Sequence, residues 1–324
     1  MRPLFDLDAV AAGARALCDG LLRDSTPYGY FHWQQQPLPN LLYLNDLVML
    51  LWVIDELPAD PALRSAWAAT LNRFQYPEGG AYCYPPSATQ SWQHATMNTV
   101  IALNMLGSRP GRPLTVLEPL RDADTCRRWV ESHADPHTAI PHHRYGLGAV
   151  LMHSSPPPAS GWADAFLGAI HRLQDPASGM FPNAAGSLDI SATFMFSKIL
   201  LNAGCELPRA QAMFDELLAA QRPNGAFTDH DALGYHDMDA AFLLAHVGQR
   251  HGYRRAEARA ALRRLASRLG ERWRRDGAFR CDPHEALAIL SLAGVLKRAL
   301  GGEVAGSATC RFHFTEPDLL RTAS

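Results

Sequence analysis

The sequence predicts an all-α single domain, six helical hairpins closed into an α/α toroid, on two observations. First, a turn glycine recurs two residues before an aromatic. It does so at Gly29 and Phe31, Gly80 and Tyr82, Gly179 and Phe181, Gly225 and Phe227, and Gly277 and Phe279. The intervals are about fifty residues or twice that, the mark of a repeat array. Second, helical runs of two different characters alternate between those turns.

Before each turn the run is amphipathic. Leu262, Leu265 and Leu269 recur at three and four while Arg259, Arg263, Arg264 and Arg268 take the other faces, and Met213, Leu217 and Leu218 behave likewise. These read as outer helices. After each turn comes a run apolar on nearly every side: Leu47 to Ile54, Thr99 to Leu106, Tyr145 to Met152, Ser191 to Leu201, Ala240 to Val247 and Ala286 to Leu296. A helix apolar all round must be covered all round, so these read as inner helices. The doubled interval implies a degenerate unit near Asp135-Pro136-His137-Thr138. Gly107 to Pro113 and Ser154 to Gly161 read as longer connections. The hairpin domain is expected over 1–300, with 301–324 as an irregular tail. An open superhelix is the alternative to closure.

Composition narrows the partners. Thirty Lys and Arg against 32 Asp and Glu give a formal charge of −2 without a basic run, so no nucleic-acid footprint is expected. No apolar run reaches membrane-spanning length, and acids at Asp6 and Asp8 interrupt any leader-like stretch. Six scattered cysteines without C-x-x-C spacing read as reduced thiols, which predicts a cytoplasmic protein. The expected partner is a small-molecule substrate, and self-association into a homodimer is left open.

In such a ring the inner helices run parallel, and their N-termini gather unpaired N–H groups at one end of the interior. The sequence places polar residues there: Asn45 and Asp46; Gln93, His94 and Asn98; His142, His143, Arg144 and Tyr145; Asp189; His236, Asp237 and Asp239; His284 and Glu285. Asp189 and Asn45 read equally well as helix caps. Histidine is not a capping residue, and its recurrence with carboxylates points to a ligand site. Trp92, Phe194 and Tyr235 are candidates for its apolar walls. Asp237 and Asp239 lie close enough in one helical turn for one pKa to be pushed upward, which would yield a general acid, with His236 beside it to orient or reprotonate it.

Two motifs carry a family resemblance. Gln221-x-x-x-Gly225-x-Phe227 resembles the repeat motif of squalene/hopene cyclases, and Gln75 and Gln174 open versions with one extra residue. The stretch Tyr235-His236-Asp237-Met238-Asp239-Ala240-Ala241 resembles the aromatic-led D-x-D-D-T-A motif of class II terpene cyclases, with Ala240 and Ala241 replacing its last aspartate and its threonine. The resemblance implies a toroid, Asp239 as the proton donor and Asp237 as its hydrogen-bonded supporter. The glycine-aromatic turns also resemble the β subunits of protein prenyltransferases. The zinc-binding D-x-C spacing of those subunits is missing, so no metal or other cofactor is expected.

Three functions follow. The first is an isomerase or lyase that protonates an isoprenoid or related apolar substrate from Asp239. The second is a carbohydrate-active hydrolase or lyase, with Asp239 or Asp189 as acid, or His142 or Tyr145 as base and Arg144 holding a carboxylate. The third is a non-catalytic binding protein.

Overall fold

A computed structural model describes residues 3–21, 41–83, 92–132, 145–183, 187–227, 232–277, 279, 282–312 and 320. The chain is mostly helical, as predicted. Helices α1 (Leu7–Leu21), α3 (Pro61–Asn72), α5 (Ala123–Glu131), α7 (Trp162–Leu173), α9 (Ala210–Ala220) and α11 (Arg255–Asp276) form one set. Alternating with them are α2 (Leu41–Val53), α4 (Trp92–Met105), α6 (Gly146–Met152), α8 (Ile190–Asn202), α10 (Tyr235–Arg250) and α12 (Pro283–Leu300). A short antiparallel pair, β1 (Phe181–Pro182) and β2 (Leu188–Asp189), precedes α8. The 3-10 turn Thr115–Arg121 fills the longer connection before α5.

The two sets differ in burial as their sequences do. Every residue of α2 except Leu42 and Tyr43 is buried, and α12 is buried along most of its length. By contrast, α11 buries the stripe Ala258, Leu262, Leu265 and Leu269 and exposes arginines 259, 263 and 264. The contacts among the buried set follow a fixed order. Helix α2 packs on α4, α4 on α6, α6 on α8, α8 on α10, α10 on α12, and α12 again on α2.

Local chemistry starts and stops the helices. Asp60, Asp122, Asp189 and Asp282 each stand at an N-cap and accept a backbone N–H from the first turn of α3, α5, α8 and α12. Pro61 and Pro283 occupy first helical positions, where the missing N–H costs nothing. At the end of α11, Gly277 adopts φ 66°, the left-handed conformation that turns the chain out of a helix.

The repeat motif has a mechanical explanation. Gln174 Nε2 donates to Gly179 O at 2.8 Å across its own turn and to Pro208 O at 2.7 Å, just before the next outer helix. Gln75 does the same with Gly80 O and Arg112 O, at 2.8 and 2.7 Å. Gln221 reaches Gly225 O and Ala261 O, both at 2.9 Å. Each glutamine therefore closes a turn and docks it on the following unit. The glycine is required on two counts: Gly179 has φ 69°, and a Cβ there would lie 2.7 Å from Arg209 O.

The chain ends meet. Leu4 N–H donates to Glu303 O at 2.9 Å, Ala305 N–H to Phe5 O at 2.9 Å, and Leu7 N–H to Ala305 O at 3.1 Å. Beyond this parallel contact, Arg311 N–H reaches Val53 O at 3.0 Å and Phe312 is buried under the Arg298 guanidinium. Residues 301–312 thus start as a 3-10 turn and pack on both α1 and α2.

Gln174→Ala removes both bonds of one clamp and leaves one buried and one partly buried carbonyl without that donor. We expect a loss of about 1–3 kcal/mol in urea unfolding, against less than about 0.5 kcal/mol for the exposed Arg222→Ala.

Candidate active site

Four of the buried helices bring polar side chains together near their N-terminal ends. The sharpest group spans α2, α10 and α12. His284, in the first turn of α12, places Nδ1 2.9 Å from Oδ2 of Asp46, which is only 1 % exposed in the middle of apolar α2. The Tyr235 ring lies against the imidazole at 4.5 Å between centroids, with its hydroxyl 3.4 Å from the same nitrogen. Asp282 caps α12 through His284 N–H at 2.9 Å and so fixes where the imidazole starts. Arg272 ties this end down, pairing with Glu285 and donating to Leu233 O at 3.3 Å.

Burial raises the pKa of Asp46, and the charge and hydrogen bond of His284 pull it back. Burial likewise opposes charge on His284, but Asp46 and Asp282 outweigh it and raise the imidazole above its usual range. A neutral Asp46 and a cationic His284 are competing outcomes for one contact. The 2.9 Å bond directly favours the charged pair and His284 keeps partial exposure, so the imidazole is held above its usual range. Nearby, burial with the Asp282 and Asp46 charges pushes the Tyr43 hydroxyl up to about 12.

A second group occupies the seam between α8 and α10. The hydroxyl of Ser191 donates to Oδ2 of Asp239 at 2.7 Å, and Asp239 is 3 % exposed. One turn along, Phe194 meets Phe242 edge to face at 5.5 Å. One turn further, Lys198 is 7 % exposed. Ser191, Phe194 and Lys198 follow the spacing i, i+3, i+7 and so share a face of α8, as Asp239 and Phe242 share one of α10. Burial raises Asp239 well above the carboxylate range; Ser191 and Lys198 oppose this, and Asp189 and Asp237 add to it. Burial lowers the Lys198 amine to about 8, with Asp239 resisting. Tyr235 and Asp239 are one turn apart on α10, so this helix joins the two groups.

Asp237 acts differently from its expected pairing with Asp239. Its Oδ1 accepts Phe227 N–H at 2.8 Å and its Oδ2 accepts Gly234 N–H at 3.0 Å, so the carboxylate clasps the loop that leads into α10. Burial raises its pKa and those two bonds lower it. Asp239 takes its hydrogen bond from Ser191 instead. His236 faces solvent. Asp189 caps α8 through Ala192 N–H at 2.7 Å. Tyr145 is buried, donates to Val130 O at 3.0 Å and packs between Trp129 and Phe196, which anchors α5.

On α4, His94 is buried with its Nε2 3.0 Å from Asn98 Nδ2, and Trp92 is half-buried at the helix start. His142 and Arg144 lie outside the described residues. On the neighbouring helices α2, α4 and α12, Asn45 Oδ1, Gln93 Oε1 and Ser291 Oγ are buried without a hydrogen-bond partner among the described residues. Ser291 is two turns below His284 on α12. Asn45 spends its amide hydrogen on Thr99 at 3.1 Å, leaving the carbonyl. The α2, α4 and α12 side thus offers unpaired polar groups, and the α8 and α10 side offers aromatic rings, an acid and the buried His246 Nε2, which has no hydrogen-bond partner among the described residues.

Lys198 and Ser191 are absent from the sequence-derived candidates. A signal existed for the first, since Lys198 is the sole charged residue in the run Ser191 to Leu201. For Ser191 there was none, because a serine at a helix start reads as ordinary. Among the described residues, no three His, Cys, Asp or Glu side chains group as a metal site, and no helix is long and apolar enough to cross a membrane. Compared with models of known protein families and with curated proteins, the chain matches none.

Asp237→Ala strips two backbone N–H groups of their acceptor. Equilibrium unfolding should show a loss of about 2–4 kcal/mol, while His236→Ala should stay within about 0.5 kcal/mol of the parent.

Lys198 gives a pH signature. Between about 8 and its ordinary 10.5, the unfolded chain keeps a proton that the folded chain has released, so this group makes stability rise with pH across that window. Relative to Lys198→Met, the parent should gain on the order of 2 kcal/mol on going from about pH 8 to about pH 10. A flat difference in denaturation series over that range would refute the depressed amine.

Proposed function

We propose that the chain is an α/α toroid and an enzyme that transfers a proton from Asp239 to an apolar small molecule, isoprenoid or related, held among the starts of the inner helices. The cyclic order of helix contacts, with α12 returning to α2, supports the ring. One observation carries the chemistry: Asp239 is a fully enclosed carboxyl whose protonated form is favoured by burial. Ser191 occupies Oδ2, which leaves the other oxygen to carry the proton.

A carboxylic acid in that state donates without first collecting a proton from water. Protonation of an alkene leaves a carbocation, which the π faces of Phe194, Phe242 and Tyr235 stabilise. Loss of a proton from the cation then gives an isomerised or cyclised product. No redox equivalent or second substrate is consumed, and the overall reaction is that of an isomerase.

A specific observation favours a second reading. The Asp46–His284 pair and the unspent Asn45, Gln93 and Ser291 groups suit a hydroxylated or anionic substrate better than a hydrocarbon. In that case Asp239 protonates a leaving oxygen as a carbohydrate hydrolase or lyase does. An amphipathic substrate, with an apolar body along α8 and α10 and a polar head towards His284, would satisfy both halves.

Incubation with linear isoprenoids and, separately, uronic-acid oligosaccharides, followed by product mass spectrometry, decides between them. Under the first reading, Asp239→Asn keeps the helical circular-dichroism spectrum and loses at least about a hundredfold in turnover. An undiminished rate in that variant removes Asp239 from the mechanism.

A further inference from the structure

Of the thirty basic residues in this chain, only Lys198 and Lys297 are lysines. Lys297 caps the end of α12 by donating to Val304 O at 2.7 Å. Lys198 stands inside α8, 7 % exposed, and makes no hydrogen bond or ion pair with any described residue. Its charge is answered only at a distance, by Asp239. Burying an ammonium without a hydrogen-bonded partner costs several kcal/mol. In a chain that uses arginine for nearly all of its positive charge, this buried position holds a lysine, whose amine, unlike a guanidinium, can shed its proton and act as a nucleophile.

We propose that Lys198 is a nucleophilic amine that forms an iminium with an apolar aldehyde or ketone, and that Asp239 supplies the proton that carries the carbonyl oxygen away as water. The proposal shares the position of Asp239 with the reading above and adds a carbonyl group to the substrate. The nitrogen lone pair attacks the carbonyl carbon, a C–N bond forms, and the C=O π electrons move to oxygen. After proton transfer from nitrogen to that oxygen, the Asp239 proton completes a molecule of water. The C–O bond then breaks, leaving an iminium on Lys198 and a carboxylate on Asp239.

The charge balance favours this site. Burial favours the neutral form of both Lys198 and Asp239, and these are the forms from which the condensation starts. The product is one cation and one anion, so no net charge is added to the interior. The Phe194 and Phe242 rings lie on the faces that carry Lys198 and Asp239, which selects an apolar carbonyl compound over a sugar or a keto acid.

Two lysines make the test unambiguous. The full-length wild-type protein is incubated with geranial and sodium cyanoborohydride, digested, and mapped by mass spectrometry. The expected result is a reduced adduct on Lys198 at least about tenfold above that on Lys297, and a drop of at least about tenfold in that adduct in Asp239→Asn. Lys198→Arg keeps the charge and should lose the adduct. Labelling confined to Lys297 and the α-amine of the folded wild type overturns the proposal without recourse to any variant. Lys198 labelled equally fast in Asp239→Asn overturns the role of the pair. Turnover of isoprenoids that lack a carbonyl reads the Asp239 proton transfer separately, so either idea can fail while the other stands.

Discussion

A glutamine amide that holds two carbonyls, one in its own turn and one in the following unit, is the contact on which this molecule's regularity rests. Gln75, Gln174 and Gln221 repeat it in the same way. Because the amide is buried or nearly so, its bonds are made with little competition from water, and the register between neighbouring hairpins follows from them. Without that register, the turns that lead into α4, α8 and α10 would not be fixed against the outer helices that follow them.

The price of such an arrangement is that polar groups are carried into a wall of apolar helices. Each of them answers the resulting desolvation differently. Asp237 is compensated by two backbone N–H groups and behaves as structure. Asp46 is compensated by an imidazole. Asp239 has one serine hydroxyl and a distant amine, which leaves its carboxyl favoured as the neutral acid. Incomplete compensation is what makes a titratable group chemically useful, so the least satisfied of the three carboxylates is the best placed to exchange protons.

The resemblance to class II cyclases was carried by two kinds of motif, and the structure separates them. The glutamine and glycine positions are accounted for by docking between units. At the aspartate stretch, Asp237 closes a loop, and Asp239 is paired across helices with a serine that lies 48 residues earlier. Spacing within a helix showed that both carboxylates could border one site, but not which face each would turn to. Tyr145 is a similar case: it looked like a mouth residue and serves to anchor α5 through Val130.

The alternation of amphipathic and wholly apolar runs, the turn glycines and the cap at Asp189 were determined by the sequence alone, because each depends on residues within a few positions of one another. The partners of Asp46, Asp239 and Lys198 were decided only by tertiary structure. Those contacts join helices remote along the chain, and the desolvation that tunes the groups exists only after the helices have packed. Periodicity records which face is apolar; it holds no record of which neighbouring helix that face will meet.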